Sequence, residues 1–344
     1  KNFKKIDNFR DSVILITGCA GFLGYYFLNY FTEYSDELGI KKIIAIDNFI
    51  LNKPSWLDIL LKKNSSLIEI HEFNIINGDL SNIKDIYNSD YILHMASIAS
   101  PSFYRKFPIE SLDANIWGLR KLLDYFCNKP IKGFLMFSSS EVYGDPPPNQ
   151  IPTPESFLGN VSSIGPRACY DESKRFSETL CYLYAQKFNM PISMVRPFNN
   201  FGPGMNIRDK RDPADFARAI LKGNDIEIFS DGSPTRTFCY ITDAIIGYLK
   251  ALLYGKFEIF NIGIDKPEIS IMKLAEIFKE KGKFVFGYKG DIKFSKPPEE
   301  NYMTNNPNRR CPNIDLARKI LDYEPIVSVE DGVELFLKYL AEKD

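Results

Sequence analysis

Tyr170 and Lys174 belong to one segment, Tyr170-Asp171-Glu172-Ser173-Lys174, and their spacing puts both side chains on one face of a helix. An isolated phenol ionises near ~10, too high for a base at neutral pH. An ammonium beside it favours the phenolate. Upstream, Ser138-Ser139-Ser140-Glu141-Val142-Tyr143-Gly144 follows an apolar run. The Ser139 hydroxyl can hold a substrate oxygen and pass a proton while Tyr170 removes the proton of a substrate hydroxyl. The same carbon then loses hydride to a dinucleotide. A Tyr and a Lys at this spacing are common by chance and usually mark a solvated helix face, so their value depends on what precedes them.

What precedes them is Val13-Ile14-Leu15-Ile16-Thr17 running into Gly18-Cys19-Ala20-Gly21-Phe22-Leu23-Gly24 and a helical stretch through Phe31. Glycines in such a turn let backbone N–H groups approach a pyrophosphate at a helix N-terminus. Three glycines alone are a weak signal. Here a strand precedes, a helix follows, and a second strand ends at Asp47, 23 residues past Gly24. A carboxylate at that place binds ribose hydroxyls and repels a 2′-phosphate, which favours NAD over NADP. The bland alternative is a doubly wound sheet without a cofactor.

Positioning these groups takes alternating strands and helices. Val13–Thr17, Lys42–Ile46, Tyr91–His94, Gly133–Ser138, Met194–Arg196 and Phe257–Ile262 read as strands. Between two of them Ile109, Leu112, Ile116, Leu119, Leu122, Leu123 and Phe126 recur at helical spacing, predicting one helix over Ile109–Cys127. The fold class is α/β: a Rossmann-like, doubly wound parallel sheet with a smaller C-terminal α/β substrate domain. Residues 1–195 form the dinucleotide-binding domain, to which the chain returns at about 238–263. Residues 196–237 and 264–344, punctuated by prolines and glycines, form the second. The polar stretch Pro297–Asn308 reads as a loop.

The order GxxGxxG, Asp, SSSEVYG, YxxxK resembles the extended short-chain dehydrogenase/reductases. Arg196-Pro197-Phe198-Asn199-Asn200-Phe201-Gly202-Pro203 is similar to that family's RxFNxxGP segment. Thr235-Arg236-Thr237-Phe238 and Arg309-Arg310-Cys311-Pro312 are similar to its two later arginine segments. The resemblance implies an NAD site built from Gly18, Gly21, Phe22, Leu23, Gly24, Asp47, Asn48, Asn74, Ile75, Met95, Ala96 and Ser97, with Tyr170 and Lys174. It implies catalysis by Ser139, Ser140, Glu141, Tyr170 and Lys174. Ser100, Tyr104, Asn199, Arg236 and Arg310 are expected to hold a nucleotide sugar, the arginines because a guanidinium fork suits phosphate.

Two stretches narrow the resemblance. His94-Met95-Ala96-Ser97-Ile98-Ala99-Ser100-Pro101-Ser102-Phe103-Tyr104 is similar to the HLASPASPxxY stretch of UDP-glucuronate decarboxylases. Gly165-Pro166-Arg167-Ala168-Cys169-Tyr170-Asp171-Glu172-Ser173-Lys174-Arg175 is close to their GPRACYDEGKR. This implies oxidation at sugar C4, loss of the C5 carboxylate as carbon dioxide with Glu141 and Ser140 acting near C5, and reduction at C4 again. The chain departs from that pattern at Gly204, where the decarboxylases carry Arg. It departs again at Asn74, where an Asp contacts adenine, and after Asp47, where TGRK is missing. A nucleotide-sugar 4,6-dehydratase with Glu141 as base, a 4-epimerase, and a non-catalytic NAD-binding regulator stay open.

Bulk composition excludes other classes. Of 344 residues, 43 are basic and 44 acidic, a net charge of −1 that gives no case for nucleic acid or an anionic membrane. No apolar run reaches transmembrane length. The six cysteines are scattered without a CxxC pair, so no metal is expected and reduced thiols in the cytoplasm are. Lys1–Lys5 carries no signal-peptide apolar region, so secretion is not expected. The helices over Ile109–Cys127 and Tyr170–Lys187 lie where relatives pair, which predicts a homodimer with a four-helix interface.

Overall fold

The computed structural model describes residues 6–296 and 306–342. Seven parallel strands form the central sheet: β1 Val13–Thr17, β2 Lys42–Asp47, β3 Ile68–Glu72, β4 Tyr91–His94, β5 Gly133–Phe137, β6 Ile192–Pro197 and β7 Glu258–Ile262. Their order is β7-β6-β5-β4-β1-β2-β3. β1 pairs with β2 on one side, Val13 opposite Lys42, and with β4 on the other, Ile14 opposite Tyr91. Strand order reverses between β1 and β4, and the crevice beyond their C-terminal ends is where a doubly wound sheet takes its ligand.

Every residue of β1 and β5 is buried, as a sheet covered on both faces requires. Alternate side chains feed two cores. Ile14 and Ile16 pack with Phe27, Phe31 and Tyr248 on one face. Leu15, Phe134 and Met136 pack with Leu122, Phe126 and Leu180 on the other. The Phe22–Glu33 helix starts directly after Gly21, and Ala168–Phe188 carries Tyr170 and Lys174.

Two differences from the sequence-based expectation stand out. β3 was not expected; its alternation Ile68-Glu69-Ile70-His71-Glu72 is that of a half-exposed edge strand. The helix expected over Ile109–Cys127 is a run of Pro108–Asp113, a π-helical turn at Ala114–Gly118, and Leu119–Phe126. The wider turn lets Asn115 reach the neighbouring helix, where its Nδ2 donates to Ser173 Oγ at 2.9 Å and its carbonyl accepts from Ser177 Oγ at 2.9 Å.

Small sheets complete the site's far side. Thr235–Arg236 lies between Ile269–Ser270 and Arg309–Arg310, with Arg310 in register with Arg236. Ile226–Ile228 pairs with Ile292–Phe294, and Asn200–Phe201 with Cys239–Tyr240. Of the loop expected at Pro297–Asn308, residues 297–305 lie outside the described residues, and Asn306–Asn308 carry neither helix nor strand. No described helix is long and apolar enough to cross a membrane.

Candidate active site

All the residues singled out from the sequence line one cleft of about 1040 Å³. That is at the upper end of the ~300–1,000 Å³ typical of one small-molecule site. At one end, the turn after β1 is shaped by its glycines. Gly18 has φ +72°, and a Cβ there would lie 2.7 Å from the backbone nitrogen of Ala96. Asp47, at the end of β2, closes the turn. Its Oδ2 accepts from Ala20 N at 2.9 Å and its Oδ1 from Phe49 N at 2.8 Å. Burial raises its pKa, and the backbone donors oppose that rise. Asn74 Oδ1 accepts from Ile76 N at 2.9 Å, leaving the amide nitrogen to other partners. The Ser97 hydroxyl is buried in the cleft wall with no partner among the described residues.

At the centre, Tyr170 and Lys174 come from the Ala168–Phe188 helix and Ser139 from the loop after β5. Lys174 Nζ donates to the Phe137 carbonyl at 2.7 Å and lies 5.7 Å from the centre of the Tyr170 ring. Burial pulls the Lys174 pKa down to about 7. Burial pushes the Tyr170 phenol up, and its hydrogen bond with Ser139 works the other way. Beneath them, His94 Nδ1 lies 2.9 Å from Thr17 Oγ1, and burial lowers its pKa to about 3, so its ring is neutral.

The other end is charged. Glu141 Oε2 accepts from Arg310 Nη2 at 2.6 Å and from Arg167 Nη2. Burial alone would raise the Glu141 pKa, but the two guanidiniums overcome it and hold the carboxyl near 2. A carboxylate so paired is a poor proton acceptor. Tyr104 stacks on Tyr170, with ring centroids 5.2 Å apart and planes 11° apart. Ser100 Oγ donates to the Asp209 carbonyl at 3.1 Å, tying this end to the segment before Arg211.

Two expected diphosphate contacts already have partners within the chain. Asn199 Nδ2 donates to the Thr237 carbonyl at 2.8 Å. Arg236 is buried and donates to the carbonyls of Thr235, Pro307 and Asn308; burial and the Arg310 charge lower its pKa to about 10. The motif that contains Arg167 and Asp171 gives neither a role, and nothing in the sequence marks Arg211 or Asp212. All but Asp171 line the cleft, and Asp171 sits against Arg167. Arg167 was within reach of sequence reasoning, standing three residues before Tyr170. Asp212 had no signal.

The sequence profile of the NAD dependent epimerase/dehydratase family matches residues 14–263. UDP-glucuronic acid decarboxylase 1 of Xenopus tropicalis is 33% identical over 330 residues, 95% of this chain and 71% of that protein. UDP-glucuronic acid decarboxylase 5 of Arabidopsis thaliana is 33% identical over 326 residues, 94% of this chain and 87% of that one. Among solved structures, UDP-glucuronic acid 4-epimerase of Bacillus cereus in complex with UDP-glucuronic acid and NAD superposes with TM-score 0.77 at 27% identity. It covers 96% of this chain and 100% of its own.

Proposed function

Because the chain belongs to the NAD dependent epimerase/dehydratase family, we propose that it is an NAD-dependent enzyme that decarboxylates a UDP-glucuronate-type nucleotide sugar through a C4 ketone. The observation that carries this reading is the Glu141–Arg167–Arg310 cluster beside Tyr170. It sets two guanidiniums, held in place by Glu141, at the sugar end, where their N–H groups can donate to a substrate carboxylate. Relatives at 33% identity that bear the decarboxylase name support it.

The cleft fits the dinucleotide. The Ser97 hydroxyl lacks a partner among the described residues, and the turn's N–H groups stand at the start of a helix. Gly18, Gly21, Phe22, Leu23 and Gly24 would hold the pyrophosphate, Asp47 and Asn48 the ribose, Asn74 and Ile75 the adenine, and Met95, Ala96 and Ser97 the remainder. Bound NAD supplies the two-electron acceptor and donor at C4. Tyr170 takes the C4 hydroxyl proton, Ser139 holds that oxygen, and the Lys174 ammonium favours the phenolate. Ser140 and Glu141 orient the C5 side, Glu141 by fixing both guanidiniums. Ser100 and Tyr104 seat the sugar, and Asn199 and Arg236 face the diphosphate.

Glu141 paired in this way argues against a 4,6-dehydratase that needs it as base. Incubation with UDP-glucuronate, read by mass spectrometry, tests the proposal. Loss of carbon dioxide supports it. Loss of water, or an unchanged mass with inverted C4, replaces it by dehydratase or epimerase. Residues 1–195 with 238–263 serve as the NAD-binding domain and 196–237 with 264–344 as the substrate domain. The protein works as a homodimer, and its six unpaired cysteines suit the cytoplasm.

A further inference from the structure

One oxygen, Glu141 Oε2, takes both guanidiniums of the sugar end. Arg167 also faces a second carboxylate, its Nε 3.4 Å from Asp171 Oδ2. Asp171 is 6% exposed, and its other oxygen, Oδ1, is buried with no hydrogen-bond partner among the described residues. The Tyr104 hydroxyl is buried and unpartnered in the same way. The groups that act on Asp171 are Arg167 at the start of its own helix and two from elsewhere in the chain, Glu141 after β5 and Arg310 from the late strand. Asp171 acts in turn on Tyr104 and on Tyr170, and Arg211 also acts on Tyr170.

With both carboxylates ionised, Glu141 and Asp171 balance Arg167 and Arg310, and the neighbouring buried Arg236 is balanced by Asp212, so the cluster is neutral. An acidic sugar brings one more anion. An uncompensated charge in such a place is costly, and the usual outcome is neutralisation by a proton. Glu141 is held ionised by two guanidiniums. Asp171 has one long contact and an orphaned oxygen, and burial followed by the Glu141 charge raises its pKa to about 7.

We propose that Asp171 is the proton-loading group of this site: it takes up one proton from solvent as the carboxylate of an acidic sugar enters beside Arg167 and Arg310, and gives one up when that carboxylate leaves as carbon dioxide. The inference rests on the decarboxylase assignment. In that step the bond from C5 to the carboxylate carbon breaks and its electron pair stays on the ring, delocalised toward the C4 ketone. The pair then forms a C5–H bond with one proton. R–COO⁻ and H⁺ become R–H and carbon dioxide. The proton consumed equals the one loaded on binding, and the cluster returns to neutrality. Asp171 acts through Arg167 and the charge balance, as a positioning residue.

Calorimetric titration of the Tyr170→Phe protein, in buffers of different ionisation enthalpy about one pH unit above the Asp171 value, tests this. UDP-glucuronate should take up about one proton more than UDP-glucose. The excess should vanish in Tyr170→Phe/Asp171→Asn and return in Tyr170→Phe/Asp171→Glu. No excess in the parent, or an equal excess with Asn, overturns the proposal. Should the Asn variant not fold, infrared difference spectra of the Tyr170→Phe protein decide. A protonated-carboxyl band appearing with UDP-glucuronate and not with UDP-glucose supports the proposal, and its absence overturns it. A separate arm follows carbon dioxide from the wild-type enzyme. If none is released, the decarboxylase assignment fails and this inference with it. If carbon dioxide is released without a proton excess, only the role of Asp171 falls.

Discussion

Two guanidiniums converge on one oxygen of Glu141, while Tyr170 keeps company with Ser139 and Lys174. The two halves of the chemistry are therefore separable. Tyr170→Phe should cost roughly 10²–10⁴-fold in turnover and show no transient NADH absorbance. Glu141→Gln leaves Arg310 without its carboxylate and Arg167 with only the long contact to Asp171, which costs stability on the order of 3–5 kcal/mol. It spares the oxidation step, so bound NADH should accumulate and a 4-keto sugar should stall or leak. Single-turnover absorbance separates them. A folded, NAD-loaded Glu141→Gln protein that forms no NADH would refute the division. Lys174 gives a pH signature in the cofactor-free protein. Its folded pKa of about 7 lies below the ordinary 10.5, so the unfolded chain binds more protons in between and stability rises with pH across that window. The burial penalty is fully present below about 7. Urea titrations should show Lys174→Met gaining most over wild type near neutral pH and the gain shrinking as pH rises.

At the scale of elements, the π turn at Ala114–Gly118 couples the cofactor cleft to the Tyr170 helix. A Cβ on Gly118 would lie 2.7 Å from Ile75 Cγ2, and Ile75 lines the cleft. Overpacking of this kind costs about 1–3 kcal/mol. Gly118→Ala should lower the melting temperature and weaken NAD binding, read by thermal shift with and without NAD; unchanged NAD affinity would show that Ile75 yields freely. Such coupling was not legible in the sequence, because the apolar period runs through Ile116 and Leu119 without a break. β1, β2, β4 and β5 were legible as buried apolar runs bounded by turns. β3 was not, since its half-exposed residues alternate charge with Ile. Arg236 and Arg310 were recognised as phosphate-type residues. Their adjacency depends on pairing between two-residue strands, too short to leave a pattern. Arg167 and Asp171 were visible but mute, because what they do is set by Glu141, distant in sequence.

At the scale of the whole molecule, the Pro108–Phe126 run and the Ala168–Phe188 helix pack side by side and leave apolar side chains outward: Ile109, Trp117, Phe176, Tyr182 and Leu183, with Trp117 57% exposed. A single copy leaves these in water, whereas a two-fold axis would bury them against themselves. Light scattering at micromolar concentration should give a dimer, and Trp117→Glu with Phe176→Glu a monomer. A wild-type monomer would count against the four-helix interface.

The late arrival of Arg310 in the chain has a consequence for biosynthesis. Every residue assigned to the dinucleotide, from Gly18 to Lys174, leaves the ribosome before Asn199, Arg236 or Arg310, and domains generally fold in the order they emerge. Glu141 then meets Arg167 first and waits for its second guanidinium until the strand at Arg309–Arg310 docks beside Arg236. The sheet beneath the cofactor cradle is closed only by β7, Glu258–Ile262, after Asn199 and Arg236 have emerged, so the docking of Arg309–Arg310 beside Thr235–Arg236 is expected to be the last step that closes the sugar end.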